Sequence, residues 1–334
     1  MLKSKIAIIS LLVLLFGCSN LQESSNQIVY NNNIVLTNFD QQKTTVFSFN
    51  DSNTKSNSIE FPKTNVMQID DNKINSNEFC AISNTLKDNK LICLNLKTTE
   101  QIIVSQKDEH PTLFEQDKET IYYSSNFVDN NYLVGYQKST KISKQQKMDY
   151  FFNRFIIAND YIYAFVSDKK HQEYLLKINK DDLKIKEKIK LKNKINLATK
   201  PLLITNQIAY VSYDNNNHYF NEINLLSKQI NKKKLTAQTY GKLLYSNNHY
   251  YLLKSDNYLE KNYSKQFEII NRTTLNIQNK TFDYEIIDFH IKDKILYFLT
   301  EDKLYLYDIN KLTEHQIITY QNKNNDTISG LLIK

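Results

Sequence analysis

Few residues have types and spacing suited to chemistry. Asp108-Glu109-His110 is the densest cluster able to do acid–base or metal chemistry, two carboxylates beside an imidazole. The other histidines, His171, His218, His249, His290 and His315, form no HExxH, HxH or other metal-ligand spacing. Paired acids such as Asp70-Asp71 and Asp181-Asp182 read as turns. The chain has 4 Gly, all far apart, which excludes a Gly-rich phosphate loop, and there is no G-x-S-x-G nucleophile elbow. No cofactor and no metal site is expected.

Two of the three cysteines lie in short apolar runs, Phe79-Cys80-Ala81-Ile82 and Leu91-Ile92-Cys93-Leu94. These runs read as the two arms of one hairpin whose turn is centred between Leu86 and Lys87. Outside the cytoplasm Cys80 and Cys93 could be oxidised. A one-residue register slip would instead leave two buried thiols pointing apart, so both readings stay open. Zinc is not expected, because no His or further Cys stands at ligand spacing.

The third cysteine belongs to the N-terminus. Lys3 and Lys5 precede an apolar run from Ile6 to Phe16, broken only by Ser10. The run is too short to span a bilayer as a helix and has the proportions of a secretory signal segment. Leu15-Phe16-Gly17-Cys18 resembles the lipobox of bacterial lipoprotein precursors, with Phe16 where that family usually has a small or β-branched residue. The resemblance implies that residues 1–17 are removed and that Cys18 is acylated as the mature N-terminus. Residues 18–26 would then be a lipid-attached linker, and the lipid the membrane anchor on the extracytoplasmic side.

The elements that follow are strands. Short β-branched and aromatic runs alternate with Asn, Asp and Lys clusters from Ile28 to the C-terminus. One stretch shows the unit: Phe155–Ala158, Tyr161–Val166 and Tyr174–Ile178 are apolar on both faces, whereas Lys184–Leu191 alternates strictly and reads as a half-exposed strand. That is the pattern of a four-stranded blade packed between neighbours. The last residue of the third strand recurs at Phe49, Leu96, Tyr136, Ile178, Ile223, Ile270 and Ile309, with gaps of 47, 40, 42, 45, 47 and 39. This period predicts an all-β chain, a β-propeller of about seven four-stranded antiparallel blades. The blades fall near 27–65, 66–106, 112–148, 155–192, 201–236, 241–283 and 286–322, within one domain over 27–334. The apolar run 327–333 is expected to pair with the first blade and close the ring. A two-sheet sandwich, a solenoid of hairpins or an incomplete eighth blade are the alternatives.

Ile208-Ala209-Tyr210-Val211-Ser212 with Asn221-Glu222-Ile223, and Tyr305-Leu306-Tyr307-Asp308-Ile309-Asn310, resemble the YVTN-type surface and periplasmic propellers. The chain has no Trp, unlike the WD40 and quinoprotein-like propellers.

Composition bears on partners. The chain has 41 Lys against only Arg154 and Arg272, a net charge of +7, and 42 Asn, a bias toward residues with AT-rich codons. Lysine is dense on the outer strands of the third to fifth blades: Lys138, Lys141, Lys144 and Lys147, then Lys184, Lys186, Lys188 and Lys190, then Lys232–Lys234. Edge protection accounts for such lysines, with attraction to anionic lipid or wall polymers as the alternative. Nucleic acid is not an expected partner, since Arg, the main base reader, is nearly absent.

The tips joining second to third strands gather on one face of a propeller, and loops on a rigid scaffold are where binding usually resides. Phe39, Asp168, His171, Asp214, His218, Tyr258 and Tyr263 are the candidate binding residues there. Two functions follow. One is a membrane-tethered binding or assembly module of the cell envelope whose tips hold a protein or glycan. The other is a lactonase- or lyase-like propeller enzyme using Asp108, Glu109 or His110 at the channel mouth.

Overall fold

A computed structural model describes residues 32–50, 53–69, 77–85, 88–107, 109–127, 130–215, 217–236, 239–257, 262–320, 322 and 326–333. All regular structure in these residues is β. The first sheet holds β1 (Asn32–Asn38), β2 (Lys43–Asn50) and β3 (Asn53–Pro62), and the second β4 (Val66–Ile69), β5 (Glu78–Thr85), β6 (Asp88–Asn95) and β7 (Gln101–Ile103). The third holds β8 (Pro111–Gln116), β9 (Thr120–Phe127), β10 (Asn130–Gln137) and β11 (Ile142–Met148), and the fourth β12 (Phe151–Ile157), β13 (Tyr161–Ser167), β14 (Glu173–Asn179) and β15 (Ile185–Lys190). In the fifth, the innermost strand is split into β16 (Lys194–Ile195) and β17 (Leu202–Ile204), both paired with β18 (Gln207–Asp214), followed by β19 (Asn217–Asn224) and β20 (Ile230–Lys234). Pro201, which cannot donate a ladder hydrogen bond, sits in the interruption. The sixth holds β21 (Thr239–Ser246), β22 (His249–Asn257), β23 (Asn262–Asn271) and β24 (Ile277–Ile286), and the seventh β25 (Asp288–Lys292), β26 (Ile295–Leu299), β27 (Lys303–Asp308) and β28 (Thr313–Thr319).

The last strand, β29 (Thr327–Ile333), does not begin an eighth sheet. It pairs antiparallel with β1, Asn32 opposite Ile333 and Thr37 opposite Thr327, and becomes the innermost strand of the first blade. Every pairing is antiparallel and neighbouring blades follow one another around an axis: a seven-bladed β-propeller.

Burial explains why the ring forms. β13 is buried through Ile162–Val166, so both of its faces need a neighbour, whereas β15 alternates exposed and half-buried and ends the blade. The buried apolar residues fall into seven clusters, each drawn from two adjacent blades. Phe155, Ile162 and Leu176 of blade 4 pack with Leu113, Tyr122 and Leu133 of blade 3, for example. One strand buried on two faces stabilises two interfaces, and no blade can complete its core alone.

Asparagine has a structural role that the composition alone conceals. Asn95, Asn179, Asn224 and Asn271 end third strands, and each side-chain oxygen accepts hydrogen bonds from the two amides two and three residues on. Asp308 does the same in blade 7. Each turn then closes on a residue in the left-handed region: Thr99, Leu183, Lys228, Leu275 and Leu312, with φ between 54° and 63° in four of the five and 51° at Leu312. In a chain with so few glycines, these side-chain bonds hold the turn that glycine would otherwise ease.

Candidate binding face

The first and third strands of each blade run one way and the second and fourth the other. The turns joining second to third strands therefore share a face with the links that lead from one blade to the next. Phe39 lies on this face, 43% exposed at the start of the β1–β2 turn. Asp168 and His171 build the β13–β14 turn: Asp168 accepts from the amides of Lys170 and Gln172 and from the Tyr174 hydroxyl, while His171 adopts φ 59° and donates its amide to the Asp168 carbonyl. Asp168 is held below the usual carboxylate range, chiefly by the Gln172 amide. Asp214 is exposed at the end of β18.

Two expectations for the tips are corrected. His218 is a strand residue of β19, only 8% exposed, with its ring 5.9 Å from that of Tyr213. The β18–β19 hairpin is tighter than the polar run suggested, because Asp214 pairs directly with Asn217. Tyr263 likewise falls within β23, its backbone opposite Ser255, because both strands extend further into the tip. Tyr258 lies outside the described residues.

The acid–base cluster sits in the link between blades 2 and 3. Asp108 lies outside the described residues. Glu109 is occupied: one carboxylate oxygen accepts the Tyr123 hydroxyl at 2.5 Å and the Gln106 amide at 2.7 Å. Burial and that bond push the Tyr123 phenol well above its normal range, so the pair acts as a structural tie between the link and β9. His110 is half-buried beside it.

The Sγ atoms of Cys80 and Cys93 are bonded, with Cα atoms 4.0 Å apart, and the two residues are direct register partners of β5 and β6. Both are buried in the core between blades 2 and 3. Among the described residues, the one grouping of three metal-capable side chains is Glu78 with these two sulfurs, which are already bonded to each other.

Charged side chains that meet groups on other blades line the axis of the ring. Lys242 of β21 meets Asp288 of β25 at 3.2 Å, and the other oxygen of Asp288 accepts the amide of Leu331 on β29. Lys200, from the interruption between β16 and β17, reaches past blade 4 to Glu115 of β8 at 2.6 Å. Arg154 of β12 donates to the carbonyl of Leu197. The available signal was a lone charge in each of the first strands β8, β12 and β21, which are otherwise uncharged. It becomes legible only once the blades are aligned.

The tip face also carries a groove of about 630 Å³ between blades 6, 7 and 1. Its wall holds Tyr284 and Tyr305, stacked at 4.0 Å with planes 7° apart, and the Tyr284 hydroxyl donates to that of Tyr307 at 3.0 Å. Glu301, Asp302, Asp326 and Lys303 add polar groups at its mouth. An aromatic platform ringed by charged and hydroxyl groups suits a polar ligand with a flat apolar face.

Two titrating groups give the fold a pH signature. Burial holds the His218 imidazole below its usual range. The unfolded chain then binds this proton at higher pH than the fold does, so stability falls as pH drops below ~6.5. For Asp117, burial pushes the carboxyl up, but the Lys180 ammonium and the amides of Thr120 and Glu119 outweigh it and leave it lowered. Its contribution is present above ~3.9 and lost as pH falls further. Urea unfolding across this range is expected to show both losses, with His218→Gln reducing the upper and Asp117→Asn reducing the lower, to which the lowered Asp168, Asp182 and Asp308 also contribute. A single transition untouched by either variant would contradict the assignment.

No family model and no curated protein sequence matches the chain. The likeness lies in the fold. A 6-phosphogluconolactonase-like protein from Bacteroides fragilis aligns at 11% identity over 93% of this chain and 100% of that one, TM-score 0.61. The dihydro-heme d1 dehydrogenase NirN aligns at 11% identity over 91% and 75%, TM-score 0.59. AztD from Citrobacter koseri aligns at 10% identity over 87% and 83%, TM-score 0.51. At such identities the resemblance establishes a shared propeller and no shared activity.

Proposed function

We propose that this protein is a lipid-tethered, extracytoplasmic propeller that works as a binding or assembly module of the cell envelope through its tip face. The observation that carries this reading is the direction of β1. Asn38 ends β1 at the tip turn, so Asn32 begins it on the opposite face. A chain acylated at Cys18 would join the ring on that opposite face and leave the tips pointing away from the membrane. The intervening residues reach ~45 Å at full extension, enough to let the ring stand clear of the surface. The Cys80–Cys93 bond supports an oxidising compartment. Glu109 already accepts from the Tyr123 hydroxyl and the Gln106 amide, which favours a structural role over the enzymatic alternative at that residue.

Photocrosslinking in the native host tests this reading. A photoreactive residue at Phe39 or Lys169 on the tips is expected to give one recurrent adduct, with none from Asn248 on the opposite face. Replacing residues 168–172 by an Asn-Gly turn should remove the adduct without changing the melting temperature. Equal labelling from both faces would overturn the reading.

A further inference from the structure

The lysines of the outermost strands are not spread evenly around the ring. β11, β15 and β20, the outer strands of blades 3, 4 and 5, carry Lys144, Lys147, Lys186, Lys188, Lys190 and Lys232–Lys234 against one acid, Glu187. The outer strands of the other four blades carry Lys55 and Lys280 against Glu60, Asp283, Glu285 and Glu314. Edge protection calls for lysine on every exposed edge. It does not explain a concentration on three adjacent blades with an acidic balance on the rest.

The local contacts leave most of this charge available, although Lys186 pairs with Asp182 at 2.9 Å. The lone acid, Glu187, is engaged by Lys228 at 2.6 Å. Lys188 lies 3.8 Å from the Tyr174 ring centre and donates to the Tyr150 hydroxyl at 2.8 Å, and Lys232 lies 3.5 Å over Tyr219. Aromatic faces hold an ammonium in place without neutralising it. Lys144 donates to the carbonyls of Lys180 and Asp181, which also leaves its charge intact. Ordering lysines before a ligand arrives lowers the cost of binding.

We infer that the rim of blades 3–5 binds a linear polyanion, an envelope polymer with repeated phosphodiester groups. Lysine ammoniums suit this ligand as point charges spaced along a strand, with no need for bidentate recognition. A bilayer is the less suitable occupant. Blades 3–5 stand across the ring from blade 1, where the chain enters, so a membrane along this rim would require the linker to cross the ring's width. That choice rests on the proposed tether, whereas the basic rim itself does not.

The test uses the purified full chain in detergent with long-chain inorganic polyphosphate as probe. Lys147→Glu, Lys190→Glu and Lys233→Glu together are expected to weaken binding about a hundredfold, at ~1 kcal/mol or more per lysine. Lys97→Glu, Lys294→Glu and Lys311→Glu together, which remove the same net charge from blades 2 and 7, should change it about twofold or less. Affinity for the parent should fall by about tenfold or more between ~50 and ~200 mM salt. Unchanged melting temperatures for both triple variants would show that folding is not the cause. Equal losses in the two variants, or no measurable binding, would overturn the proposal. So would preference of a Cys18→Ala chain for phosphatidylglycerol nanodiscs over polyphosphate. That last result would also remove the proposed tether geometry, whereas the first two would leave it standing.

Discussion

Truncation after Asp326 is expected to abolish the cooperative fold. β29 supplies the innermost strand of blade 1, and its Leu331 and Leu332 are 0% exposed in two different inter-blade cores. Losing each such side chain costs about 2–5 kcal/mol, and the truncation removes several together with a ladder of backbone bonds. That sum rivals the whole stability of an ordinary domain, ~5–15 kcal/mol. It also exposes the edge of β1 and parts blade 1 from blade 2, where the Ser329 hydroxyl, 2.8 Å from that of Thr37, donates to the Val66 carbonyl. Smaller changes grade the effect. Leu332→Ala should cost about 2–5 kcal/mol. Gly330→Val should cost about 1–3 kcal/mol, because Gly330 has φ 156°, which L side chains rarely adopt, and a Cβ there would also lie 2.4 Å from Ile69 Cδ1. Thermal and urea unfolding followed by circular dichroism check all three. A truncated chain with the parent's sharp transition would contradict ring closure by β29.

The second large effect belongs to Cys80–Cys93. The residues are separated by 13 positions, and closing a loop of that size restricts the unfolded chain by about 3 kcal/mol. The sulfurs join the two central strands of blade 2, buried between that blade and blade 3. Cys80→Ala with Cys93→Ala is therefore expected to lower stability by about 3 kcal/mol or somewhat more, the excess coming from the space left in that core. The native protein from its host should give no maleimide-reactive thiol from this pair. Denaturation alone should still give none, and denaturation with reductant should give two. Two thiols released by denaturation alone would show that the pair is reduced in its working compartment.

How far the sequence carried the structure differs by level. The strand pattern was legible because each blade repeats one burial scheme, and the recurring residues Phe49, Tyr136, Ile178, Ile223 and Ile270 all fall at the ends of third strands. Blade 5 hid part of its first strand, since Lys194-Ile195 is too short to signal and Pro201 interrupts it. The turns at the tips are shorter than the polar runs around His218 and Tyr263 suggest. Polar residues in a hairpin tip look like loop, although backbone pairing continues through them. The stacked pair Tyr284 and Tyr305, and the bond between Lys200 and Glu115, were not legible at all. Each joins different blades, and their proximity comes from ring geometry rather than from spacing along the chain. Hydropathy reported which side chains are buried, but not which of them meet.

In the proposed module the tether sets which face of the ring points outward. The direct measurement is intact and fragment mass spectrometry of the N-terminus of the protein isolated from its native host. The prediction is a chain that begins at Cys18 and carries fatty acyl mass on that residue. A chain that retains Met1, or one cleaved elsewhere with Cys18 unmodified, would contradict the tethered module and leave the outward orientation of the tips without support.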